Sequence, residues 1–136
     1  MPRFVLDAWA ILALLLAEEP AAARVKELLQ QAEEGGVALS ISLINLGEVL
    51  YRIGRSRGED EAFETLNELR RLPLAIIPVS EEAVMAAARL KMRYPISYAD
   101  AFAASTATVL RGTLLTGDPE LVQMQGRIPI ERLMRH

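Results

Sequence analysis

Short apolar runs alternate with longer amphipathic stretches along the whole chain, and that alternation limits it to a parallel sheet covered by helices on both faces. Arg3–Leu6 reads as a first strand, followed by a helix from about Ala8 to Ala17. Pro20 opens a second helix that stops at Gly35-Gly36, and Val37–Ile41 reads as the second strand. Ser42 caps a helix through about Arg57, and Gly58 separates it from a charged helix over Glu59–Leu72. Leu74–Val79 is a third strand; Ser80 caps a helix ending near Tyr94-Pro95, and Ser97 opens another that runs to about Leu110. Thr113–Leu115 is the fourth strand, Asp118-Pro119-Glu120 starts a short helix, and Ile128–Ile130 forms a last edge strand. No repeat or linker interrupts this order, so one α/β domain is expected over residues 1–136, long enough to bury a real core. Hydrophobic residues make up 51% of the chain but aromatics only 5%, so that core is aliphatic and a barrel or sandwich is a poor fit.

Two absences narrow the chemistry. There is no cysteine, which removes disulfides, thiolate nucleophiles and Cys-based zinc sites, and the only histidine is His136. A Ser-His-Asp triad, a His-ligated zinc and a His general base all need an imidazole held in a folded site, so hydrolytic chemistry must rest on carboxylates, hydroxyls and a metal. Asp7 breaks the apolar stretch after Arg3, and the uninterrupted Ala8–Ala17 is too short to span a bilayer, so a cytoplasmic protein is expected rather than an exported one. A net charge of −3 gives no global attraction to nucleic acid. Basic residues do gather locally, at Arg52, Arg55 and Arg57, at Arg70 and Arg71, and at Arg89, Lys91 and Arg93. Each group fits either a solvated helix end or a local phosphate contact.

Where charge is missing is more telling. Between Phe4 and Ala17 the only charged residue is Asp7; between Gly35 and Tyr51 it is Glu48; between Tyr94 and Leu110 it is Asp100. A carboxylate buried without partners costs several kcal/mol, so one embedded in an apolar segment must cap a helix, pair with a cation or bind a metal. Structural roles are open to all of them. Asp7 directly precedes a helix, Asp118 before Pro119 fits an N-cap, Ser97 and Asp100 resemble a capping box, and Glu48 can pair with Arg52 at i+4. Considered together they have a second role, because strand C-termini of an open parallel sheet share one edge and sites form there. Asp7 and Asp118 follow strands, Glu48 lies on the helix after the second strand, and Asp100 starts a helix that can face the same edge. Carboxylates gathered there repel one another, and the ion suited to such hard oxygen ligands is Mg²⁺ or Mn²⁺. The natural reaction class is phosphodiester hydrolysis.

With these residues in place, the chain resembles the PIN-domain family, and within it the VapC-like ribonuclease toxins of toxin–antitoxin pairs. The resemblance covers nearly the whole chain and is carried, in order, by Val5-Leu6-Asp7-Ala8, Asn45-Leu46-Gly47-Glu48-Val49, Ser97-Tyr98-Ala99-Asp100-Ala101 and Leu115-Thr116-Gly117-Asp118. It implies a doubly wound parallel sheet, Mg²⁺- or Mn²⁺-dependent cleavage of RNA, a homodimer, and inhibition by a small antitoxin that reaches into the acidic pocket. By that analogy Asp7, Glu48, Asp100 and Asp118 are the metal-binding and catalytic carboxylates and Thr116 the accompanying hydroxyl, with Glu120 at an optional further acidic position. The chain departs from the family pattern at Trp9, where Ser, Thr or Asn is common; the indole fits core packing or a stacking surface for a base. Two other readings stay open: an inactive PIN-like binding scaffold, and an Asp-dependent phosphotransfer domain. The latter wants a second Asp where Trp9 stands and a placed lysine, and the chain has only Lys26 and Lys91.

Overall fold

In the computed structural model, which describes residues 1–136, β1 (Arg3–Leu6) occupies the middle of a five-stranded parallel sheet. The chain continues through α1 (Ala8–Leu15), α2 (Ala21–Glu33), β2 (Ala38–Ser42), α3 (Leu43–Arg57), α4 (Glu59–Leu69) and β3 (Ala75–Ile77). It then runs through α5 (Glu81–Arg93), α6 (Tyr98–Leu110), β4 (Thr113–Thr116), α7 (Pro119–Val122) and β5 (Ile130–Arg132). The strand order is β3-β2-β1-β4-β5 and every neighbouring pair is parallel, which is the doubly wound sheet the sequence implies.

Two cores lie on opposite faces of this sheet, and the period-two alternation of strand side chains fills both. Val5 and Leu114 face a core completed by Ala87, Phe102, Ala103, Ala104 and Leu121 from α5, α6 and α7. Leu6 and Leu115 face the larger core, where Ile11, Val25, Leu28, Leu46, Val49 and Ile53 come from α1, α2 and α3. Strands buried on both faces read as continuous apolar runs, so β1 and β4 stand out in sequence although they are short.

The expected boundaries move by a few residues. The first helix ends at Leu15, with Leu16 as its cap and Ala17 in the left-handed region at φ 53°. The charged helix stops at Leu69 rather than Leu72, and the third strand is the shorter Ala75–Ile77. β5 pairs over Ile130–Arg132 instead of Ile128–Ile130, because Ile128 still donates its N–H back to the Met124 carbonyl in a turn and Pro129 accepts from Leu114 N. Ser42 ends β2 and caps α3 with the same residue, its Oγ accepting from Ile44 N at 3.2 Å. Gly58, at φ 95°, makes the junction at which α4 follows α3 without a loop. No helix is long and apolar enough to cross a membrane.

Candidate active site

The winding direction of the sheet reverses between β1 and β4, and a crevice opens at their C-terminal ends. Because Leu6 pairs with Leu115, the next residues, Asp7 and Thr116, fall side by side although 109 positions separate them. The Thr116 hydroxyl donates to Asp7 Oδ2, while Asp7 Oδ1 caps α1 by accepting from Ala10 N at 2.9 Å. The N–H of Asp118 donates to Thr116 Oγ1 at 3.0 Å, which fixes the direction in which that hydroxyl points. Asp118 Oδ1 in turn accepts from Glu120 N at 2.9 Å and caps α7.

Asp100 sits in the first turn of α6, and only half of the capping box suggested by its sequence forms. Ser97 Oγ accepts from Asp100 N at 3.1 Å, but the N–H of Ser97 goes to Glu120 Oε2, also at 3.1 Å. Glu120 therefore does the capping that Asp100 is released from, and the Asp100 carboxylate faces the crevice. Glu48 comes from α3, its Oε2 accepting from Arg52 Nε at 3.1 Å one turn later. All four carboxylates line one cleft of about 330 Å³. Capping roles for Asp7 and Asp118 and the Glu48–Arg52 pair are thus all realised, and they hold these side chains in a common cleft.

Burial and like charge act on the two innermost acids. Asp7 is 2% exposed; burial pushes its carboxyl up to about 7, against the Thr116 and Ala10 hydrogen bonds, with Asp118 and Glu48 adding like-charge repulsion. Asp100, 7% exposed, is pushed up to about 8, first by burial and next by Asp118, with the Ser97 bond opposing and Asp7 and Glu120 adding to the rise. Asp118 thus acts on both innermost acids, while Glu48 acts on Asp7. No three carboxylates converge in ligating geometry. The cleft's donors are all oxygens of carboxylates and a hydroxyl, the kind that a hard divalent ion takes. The residues present fit a hard divalent ion and do not fit zinc.

Two residues given no role from the sequence, Asn45 and Gly117, and one that was singled out there, Trp9, shape the cleft. Asn45 on α3 is fully buried and donates from Nδ2 to the Ala99 carbonyl at 3.0 Å, tying α3 to the turn that carries Asp100, while its Oδ1 has no partner. Its signal was a polar residue inside a charge-free run. Gly117 lies against Trp9 so closely that a Cβ there would stand 2.4 Å from the indole ring. Trp9 is half-buried, packs on the larger core, and reaches the cleft wall, where Arg135 lies over its ring. Of the basic groups, Arg52 lines the cleft; Arg57 pairs with Glu61, and Arg55 packs on Tyr51. Lys91 is structural, donating from Nζ to the Ile96 carbonyl at 2.8 Å.

Fold and site together define a doubly wound α/β protein with an acidic crevice at its switch point. The model of the PIN domain matches residues 4–126, and the chain belongs to that family, a family of nucleases. No curated protein matches it closely enough to count as a relative. Among solved structures it is similar to VapBC2 from Rickettsia felis bound to a DNA fragment from their promoter: TM-score 0.75, 18% identity, 97% of this chain and 99% of that chain covered. VapBC-1 from nontypeable Haemophilus influenzae gives a TM-score of 0.70 at 20% identity over 96% and 97% of the two chains. VapC20 of Mycobacterium tuberculosis, described as a Sarcin-Ricin loop cleaving toxin, gives 0.71 at 15% identity over 90% and 95%.

Proposed function

We propose that the chain is an endoribonuclease that hydrolyses RNA phosphodiester bonds with Mg²⁺ or Mn²⁺, and that it is the toxin of a toxin–antitoxin pair, acting in the cytoplasm as a homodimer. The observation that carries this reading is the meeting of Asp7, Glu48, Asp100 and Asp118 in one cleft that contains no histidine. Asp7, Asp100 and Asp118, with Glu48, are the residues that would hold the ion. When bound, the ion lowers the pKa of a water and offsets the charge that builds on the phosphodiester oxygens.

The chain's own groups do the remaining work. Thr116 locks the orientation of Asp7 through Oδ2, and the Asp118 N–H locks Thr116, so two carboxylates on different elements are set by one hydroxyl. Glu48 is held in the cleft by the side chain of Arg52, whereas no protein group donates to the Asp100 carboxylate, which leaves Asp100 the acid freest to turn toward the attacking water. Membership of a nuclease family supports the reaction class, and the VapBC complexes among the similar folds support a small antitoxin as partner. An acidic cleft of this size suits a basic segment from such a partner.

Purified protein is expected to cut single-stranded RNA, to lose activity in excess chelator, and to regain it with Mn²⁺ or Mg²⁺ but poorly with Zn²⁺. Full cleavage in chelator would overturn the mechanism. Calorimetric titration with Mn²⁺ separates a live site from an inactive scaffold, which would bind no ion. The phosphotransfer reading is disfavoured by the position of Asp7, which is buried with each oxygen already accepting a hydrogen bond, and by the engagement of Lys91 elsewhere.

A further inference from the structure

A cleft lined by five carboxylates, Glu18 beside the four of the site, repels the polyanion it is proposed to cut, in a chain whose net charge is already −3. Binding then depends on cations placed at the cleft itself. Two are present, Arg52 and Arg135. Arg52 is engaged by Glu48 through both Nε and Nη2. Arg135 differs. Its Nη1 takes both oxygens of Glu18, at 3.2 and 3.3 Å, leaving Nε and Nη2 unengaged. Those two nitrogens carry parallel N–H bonds, the fork that matches two oxygens of a phosphate.

The guanidinium is also held in place. Its carbon stands 5.2 Å from the centroid of the Trp9 ring, within cation–π range. The backbone around it is pinned on both sides: Leu133 N donates to Thr116 O at 2.8 Å, Ala21 N to Met134 O at 2.9 Å, and His136 N to Glu19 O at 3.1 Å. Arg135 itself bridges Pro20 in antiparallel fashion. Trp9 is confined by Gly117, where even a methyl group would collide with the ring. A half-exposed cation, prepositioned at the wall of an acidic cleft with its phosphate-binding edge free, is built to receive an anion.

We propose that Trp9 and Arg135 form a phosphate-binding rim for the RNA backbone, with Arg135 contacting a phosphate next to the one hydrolysed and Trp9 as the positioning residue that holds the guanidinium there. The proposal rests on the ribonuclease reading of the cleft and names the groups by which that cleft tolerates a polyanion. It also gives Trp9 a role distinct from base stacking, since the ring is engaged by the guanidinium.

The test is anisotropy of a fluorescent single-stranded oligoribonucleotide titrated with the full chain across a range of salt, in Ca²⁺ buffer, alongside cleavage kinetics in Mn²⁺ and melting curves. Arg135→Gln is expected to weaken RNA binding roughly five- to tenfold and to flatten the salt slope by about 0.7. In cleavage it raises KM with kcat little changed. Arg135→Lys restores the slope but only part of the affinity, because a point charge replaces the fork. Trp9→Ser loses affinity as Arg135→Gln does, and Trp9→Phe recovers most of it, which a merely structural role for the charge would not produce. Arg135→Gln binding with wild-type affinity and slope overturns the rim, as does a wild-type chain that binds no RNA. Arg135-dependent binding without any cleavage leaves the rim standing and removes the ribonuclease reading; cleavage with KM unmoved by Arg135→Gln does the reverse.

Discussion

At Gly117 the chain leaves β4 past the edge of an indole, and the fit there ties two residues far apart in sequence. A Cβ at 117 would lie 2.4 Å from Cη2 and Cζ2 of Trp9, and a rigid ring wedged between core and cleft wall has little room to retreat. Gly117→Ala is therefore expected to destabilise the protein by about 1–3 kcal/mol, the range for overpacking. Adding Trp9→Ser should return most of the effect of the glycine change, a non-additivity that urea unfolding of both singles and the double will read. Strict additivity would mean the ring moves freely. A second residue-scale expectation concerns Asp100. Asp100→Asn replaces a carboxyl that folding must either protonate or leave charged among like charges, so the metal-free protein should melt higher, and the added stability that Mn²⁺ gives should shrink. If Asp100 only capped α6, Asn would cap nearly as well, the metal-free melt would be flat or slightly lower, and the metal response would stay as it was.

Among the elements, the N-terminus of α6 is the place where local sequence rules and the structure diverge, and a prediction follows from the divergence. Ser97 keeps its side-chain bond to Asp100 N, yet its own N–H is taken by Glu120 from the turn of α7. Glu120→Ala should let the Asp100 carboxylate swing back onto Ser97 N and complete the box. Stability then changes by less than about 1 kcal/mol, while activity falls about tenfold because Asp100 no longer faces the cleft. Equal losses of stability and activity would refute this. The same contact explains what could be read from sequence. β1, α3, α6 and β4 were legible because their apolar periodicity and caps are local properties, and the isolated acids among them marked the crevice. Glu120 acting for Asp100, Gly117 against Trp9, and Arg135 over that ring were not legible, since each is a contact between segments distant in sequence. The edge strands β3 and β5 were misplaced at their ends for a related reason: their pairing is limited by turns and neighbours rather than by their own hydrophobicity.

The molecule as a whole carries the charge of its cleft as a pH-dependent stability. Asp7 and Asp100 have folded-state pKa values of about 7 and about 8, above the ordinary value near 3.8. Between pH ~4 and ~8 the folded state thus holds protons that the unfolded chain has released, and stability falls as pH rises through that window. Metal-free protein should melt at a higher temperature at pH 5.5 than at pH 8, with Asp100→Asn reducing the difference; scanning calorimetry in chelator measures both. Saturating Mn²⁺ should flatten the trend, because the ion supplies the positive charge that protons otherwise provide. A metal-free melt that rises with pH would contradict the buried positions assigned to both acids. The strand order has a temporal consequence as well. β1, β2 and β3 are laid down within the first 77 residues and can pair with one another as they are made, whereas the other edge of β1 stays open until β4, at 113–116, has been synthesised. Asp7 gains Thr116 and Asp118 only when β4 joins β1, so a chain cut short before β4 has no assembled cleft.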